Sequence, residues 1–145
     1  MAFQFSLHAV LRARTVVEEH EERILQKILV EIAQCTQEIA HLDSGMARGN
    51  TLRAESVLQP ILGRALHGQY GEMHELKRVR ELLVSQVSKL EELKAMQIVV
   101  YNTARQNREL LSEMRITKRD AYHADLSRRE QSTLDDNFIA RRSLA

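Results

Sequence analysis

Three features of this 145-residue chain predict an all-α fold, an antiparallel two-helix coiled coil forming a long helical hairpin with a short broken helical elbow. First, all five glycines (Gly45, Gly49, Gly63, Gly68, Gly71) and the only proline, Pro60, fall between residues 45 and 71, so both flanks are free of helix breakers. Glycine costs about 1 kcal/mol and proline about 3 kcal/mol in a helix interior relative to alanine, which makes that exclusion informative. Second, aromatic residues make up 4% of the chain and tryptophan is absent, too little for a thick core of large rings. Third, apolar residues step by threes and fours, the spacing of a coiled-coil seam. The expected plan is a single coiled-coil domain over 1–145, with a first helix over about 5–44, an elbow over 45–71 and a last helix over about 72–138.

In the first helix, Leu25, Ile28, Ile32, Cys35, Ile39, Leu42 and Met46 hold one stripe. Nearer the start, Leu7, Val10, Val17 and Ile24 follow another phase, which predicts a stutter and a local straightening of the supercoil where the phases meet. Cys35 lies on the stripe and reads as a small buried hydrophobe; as the only cysteine it has no internal disulfide partner. In the elbow, Asn50 or Thr51 caps a short helix whose apolar positions are Leu52, Val57, Leu58, Ile61 and Leu62, with Pro60 kinking or ending it. The last helix opens with a seam of Met73, Leu76, Leu83, Val87 and Leu90. After Leu93 its phase moves to Val100, Ala104, Leu111, Met114 and Ala121. Beyond Arg115 the chain is mostly charged, so its final turns are expected to pair intermittently and fray.

The same residues exclude several function classes. A net charge of +1 gives no chain-wide attraction for nucleic acid. Locally, Lys77, Arg78, Arg80 and Lys89 are interleaved with Glu72, Glu75 and Glu81, which cancel their field. The uncharged run from Ala95 to Ala104 is far short of the roughly 20 residues that cross a bilayer, so no direct membrane insertion is expected. With no signal peptide in evidence, the expected location is the cytosol. Glu38 and His41 match the Glu-x-x-His spacing of di-iron bundles, but no second copy exists and both lie off the stripe. His8, His20, His67, His74 and His123 are scattered without ligand spacing. Phosphate loops and zinc motifs are absent, and a two-helix rod offers no dehydrated pocket, so neither an enzyme nor a cofactor is expected. The chain offers partners its apolar ends, Phe3, Phe5, Leu7 and Leu11 at one and Tyr70, Met73 and Leu76 near the elbow. Either group can equally finish the seam or staple a helix start.

Those ends carry a resemblance. The start, Phe3-x-Phe5-x-Leu7-x-x-Val10-Leu11-x-x-Arg14-x-x-x-Glu18, resembles the opening of the flagellar FliJ family. The tail, Arg129-Glu130-Gln131-x-x-Leu134-Asp135-Asp136-x-x-x-Ala140-Arg141-Arg142, is similar to that family's close, with Asp136 where glutamate is more usual. The resemblance covers the length and plan of the chain. It implies a non-enzymatic coiled-coil stalk and escort protein of the flagellar type III export apparatus, peripherally associated with the cytoplasmic face of the cell membrane. Its implied partners are the export ATPase ring, the membrane protein of the export gate and the export chaperones. Carried onto this chain, the ring-facing residues are Phe3, Phe5, Leu7, Leu11, Arg128, Arg129, Arg141 and Arg142. The gate contact maps to Tyr70, Met73, Leu76 and Arg80. A generic coiled-coil adaptor or chaperone, or the equivalent stalk of a virulence type III secretion system, shares the same physics and differs in its partners.

Overall fold

The computed structural model describes residues 2–56 and 63–144. Two helices account for nearly all of them, α1 over His8–Ser56 and α2 over Gly63–Ser143. At 1.5 Å per residue the 81-residue α2 has a contour of roughly 120 Å. The described chain has no strand. It is an all-α helical hairpin in which two compact units are distinguished, one made of residues 1–21 with 101–145 and the other of residues 22–100.

In the unit of residues 22–100, α1 presents the expected stripe. Leu25, Ile28, Ile32, Ile39, Leu42 and Met46 are half-buried and Cys35 is buried. Opposite them, α2 presents Met73, Leu76, Arg80, Leu83, Val87, Leu90, Lys94 and Gln97, all buried or half-buried and all separated by alternating threes and fours. The pairing is antiparallel, since Asp43 meets Arg80 while the later Gly49 meets the earlier Met73. Burial is shallow throughout. Met73, Leu90 and Cys35, at 7–8% exposure, are the most enclosed of this unit's described side chains, because two helices cannot surround a residue as a thick core does.

In the other unit, Leu7, Leu11, Thr15, Glu18 and Glu21 of the N-terminal stretch face Tyr101, Ala104, Arg108 and Leu111 of α2. Here too the order is antiparallel. Phe3 contacts Tyr122, Phe5 lies beneath Lys118, and Glu18 pairs with Arg108. The chain enters α1 through a turn at Ser6 and Leu7, closed by the His8 N–H donating to the Phe5 carbonyl at 3.1 Å.

Several expectations are corrected. The described residues of the elbow, 45–56 and 63–71, are continuous with the two long helices. Gly45 and Gly49 lie inside α1, and Gly63, Gly68 and Gly71 belong to α2. No described glycine takes a positive φ, so none acts as a left-handed helix stop. A penalty of about 1 kcal/mol per glycine is smaller than that of breaking and renucleating a helix among good helix formers. Neither Asn50 nor Thr51 begins a new helix. The Thr51 hydroxyl donates back to the Ala47 carbonyl at 3.0 Å, within α1. The expected roles of Val57, Leu58, Pro60, Ile61 and Leu62 fall outside the described residues.

The phase changes are not where they were expected, at residues 24–35 of α1 and after Leu93 of α2, although Leu7 and Ile24 of the expected first phase are half-buried. Val10 and Val17, each 43% exposed, are off the buried stripe, which instead passes through Leu11 and Glu18. Heptads counted from Leu11 reach Glu18, Leu25, Ile32, Ile39 and Met46 without a stutter. On α2 the buried positions continue through Lys94, Gln97 and Tyr101 to Ala104, leaving Leu93, Val100 and Met114 at 51%, 46% and 42% exposure and Ala121 exposed. Charged and amide side chains occupy seam positions, so following apolarity alone led the predicted register astray. The last helix, expected to end near 138, continues to Ser143.

Candidate partner-binding surfaces

The first surface lies in the unit of residues 22–100 and starts from a local fact of sequence. Gly45 and Gly49 are four apart on one side of α1, so two successive turns present no side chain there. The notch is bordered by Leu52 and Arg53 on α1 and by Met73 and Leu76 on α2. A β-carbon at Gly49 would stand 3.5 Å from Met73 Cε, ordinary contact, whereas one at Gly45 would meet nothing within 4 Å. A second groove adjoins it, sharing Gly45 and Leu76 and extending along Leu42, Val79 and Leu83. Its polar edge is formed by Glu38 and His41.

Of the four sequence-predicted gate residues, Met73 and Leu76 line these grooves, whereas Tyr70 and Arg80 lie outside both linings. Met73, 8% exposed, forms the floor and Leu76 links the two grooves. Tyr70 is 58% exposed, its ring under the Arg53 guanidinium at 5.2 Å from the centroid. The Arg80 Nε donates to Asp43 Oδ1 at 2.6 Å. That hydrogen bond, followed by the Asp43 charge, raises the arginine above its ordinary value. Sequence reasoning missed Gly45, Gly49, Leu42 and Arg53. The pair Gly45 and Gly49, four apart on the stripe, is the signal that could have found the notch.

The second predicted group lies in the other unit and is occupied internally. Phe5 and Leu11 are each 8% exposed. Phe3 and Tyr122 have ring centroids 5.7 Å apart at 45°, and Lys118 Nζ lies 5.9 Å from the Phe5 centroid. Leu7 is half-buried and its carbonyl accepts from the Leu11 N–H at 2.9 Å. These residues staple the start of α1 onto α2. The arginines assigned to the same end, Arg128, Arg129, Arg141 and Arg142, are exposed on the last turns of α2, where Arg129 pairs with Asp125 at 3.0 Å. No hydrogen bond, ion pair or ring contact among the described residues joins them to the Phe3–Leu11 group. Between them lie Leu134, Phe138 and Ile139, each more than 60% exposed.

Among the described residues no group of three or more His, Cys, Asp or Glu is placed to hold a metal ion. Nor is any described helix long and apolar enough to cross a membrane. What the arrangement offers chemically is recognition, through an apolar groove with a charged edge and an exposed terminal helix bearing arginines and large apolar side chains. Comparisons of the chain with protein-family models, curated proteins and solved structures return no match.

Proposed function

We propose that the chain is a non-enzymatic coiled-coil stalk and escort protein of the flagellar type III export apparatus, linking the export ATPase ring to the membrane export gate and to export chaperones. On this reading it works in the cytoplasm at the inner face of the cell membrane, held there by the gate protein, and supports flagellar assembly and motility. The observation that carries the reading is that residues 1–21 and 101–145 form one unit, in which Phe3 packs on Tyr122 and α2 runs on past that contact to Ser143 with Leu134 and Phe138 exposed. A stalk that seats this unit in a ring requires the N-terminal stretch to be held against α2. The interlocked seam supports it further, since close-packed side chains resist shear between helices.

The glycine notch is the proposed gate contact. It has an apolar floor, Met73 and Leu76, and beside it an accessible aromatic, Tyr70, against the lining residue Arg53. Pull-down of the export ATPase by the full chain, scored for ring assembly and ATP turnover, tests the reading. Capture with raised turnover is expected; no capture, and no change in turnover, would contradict it. A generic coiled-coil adaptor, or the stalk of a virulence secretion system, would bind a different ATPase or none.

A further inference from the structure

A basic groove lies in the unit of residues 1–21 and 101–145, at the start of α1. Its α1 wall is His8, Arg12 and Val16, its floor includes Leu11 and Thr15, and Arg115 closes it from α2. Arg115 also borders the two neighbouring hollows, one beside Phe3 and His8 and the other beside Ile116 and Arg119. The apolar walls are accessible, with Val16 60% and Ile116 48% exposed.

Its lining carries two arginines against one carboxylate, Glu19. Among the described residues no carboxylate lies within salt-bridge distance of Arg12 or Arg115. Arg119 meets only the adjoining Asp120, at 3.5 Å. The first turn of α1 carries no acidic residue, so nothing there offsets the positive end of the helix dipole. Glu19 is the acidic residue on the lining, and it has an interaction partner of its own. In the same unit Arg105 pairs with Glu109 at 2.8 Å and Arg108 with Glu18, so those two charges are answered within the chain, whereas Arg12 and Arg115 face the groove with no ion-pair partner among the described residues.

We propose that this groove docks an acidic amphipathic helix from a partner protein. A helix laid between α1 and α2 would set apolar side chains spaced by threes and fours on Leu11, Val16 and Ile116, and carboxylates on its flanks against Arg12, Arg115 and Arg119. Nucleic acid is the poorer fit. It needs a longer cationic track with free aromatic platforms, and the nearby rings are engaged, Phe5 buried and Phe3 against Tyr122. The inference rests on the groove alone and stands whether or not the export reading holds.

The test uses the full chain and a fluorescein-labelled helical peptide of roughly 18 residues, about five turns, with leucines at i, i+3, i+4 and i+7 and glutamates on the flanks. Controls are the same peptide with lysine for glutamate, a short DNA duplex and vesicles containing anionic lipid. Anisotropy is expected to show the acidic peptide binding, weakening as salt rises, with the lysine peptide at least about tenfold weaker. Arg12→Glu with Arg115→Glu should remove acidic-peptide binding while circular dichroism and the midpoint of unfolding stay unchanged. Val16→Glu, which keeps both arginines, should weaken the peptide as well. Equal binding of the acidic and lysine peptides would overturn the proposal, as would acidic-peptide binding indifferent to all three substitutions. DNA or vesicles binding as tightly as the acidic peptide, with the same loss in the arginine variant, would overturn it in favour of a general anion surface.

Discussion

Arg108 on α2 holds Glu18 on α1 by two hydrogen bonds, Nε to Oε2 and Nη2 to Oε1, the second at 3.2 Å, across 90 residues of sequence. Glu18 sits at a heptad core position, and its side chain is only 14% exposed. The hydrogen bond from Arg108 to Glu18 is the main cause of that arginine's raised value, opposed by its partial desolvation. A carboxylate at a core position therefore has a specific partner, and its pairing ties the seam to one register.

Replacing either partner alone should be costly. Glu18→Ala or Arg108→Ala is expected to lower stability by about 1–2 kcal/mol, because each leaves a partly enclosed charge without its partner. Urea unfolding of both single variants and the double variant should give a double variant less destabilised than the sum of the singles. The arginine's raised value means its contribution is complete below its unfolded value and lost only as strong alkali passes its folded value. Arg108 should therefore add no slope to stability across the neutral range.

Three glycines can be replaced with gain. A β-carbon at Gly45, Gly68 or Gly71 meets nothing within 4 Å, and all three lie inside helices without positive φ. Each change to alanine should stabilise the chain by about 0.5–1 kcal/mol, by reducing the unfolded chain's freedom. Thermal unfolding followed by circular dichroism reads this directly. A fall in midpoint would mean that the helix bends or opens at that glycine.

Filling the notch separates folding from recognition. Gly45→Leu adds a good helix former in open space, so helicity and stability should hold or rise, while the apolar groove beside Leu76 is obstructed. Binding to the gate protein, measured by titration calorimetry, is expected to fall at least about tenfold, the equivalent of 1.4 kcal/mol. Unchanged gate affinity with a filled notch would remove this groove from the proposed function.

How far the sequence could be read follows from what each residue contributes. The breaker-free flanks marked the presence of both helices but not their inner ends, and the stripe from Leu25 to Met46 was correct because every core position there is apolar or cysteine. The reading failed where the seam accepts polar side chains. Glu18, Arg80, Lys94, Gln97 and Arg108 occupy core spacing with aliphatic stems or paired heads. Exposed valines and leucines nearby, Val10, Val17, Leu93 and Val100, mimicked a second phase. The groove was half legible: Met73 and Leu76 were named from α2, but the facing glycines read as breakers. Helix propagation through a glycine depends on its neighbours, which a residue-by-residue penalty does not capture.

Urea unfolding of paired alanine variants tests one unbroken heptad register most directly. Leu11 and Leu90, at 8% and 7% exposure, are core, whereas Val10 and Val100, at 43% and 46%, are not. Leu11→Ala and Leu90→Ala should each lose about 2 kcal/mol, allowing for a thin seam that closes partly around the gap. Val10→Ala and Val100→Ala should stay within about 0.5 kcal/mol of the parent. Valine truncations as damaging as the leucine ones would restore the shifted phases and contradict the continuous seam.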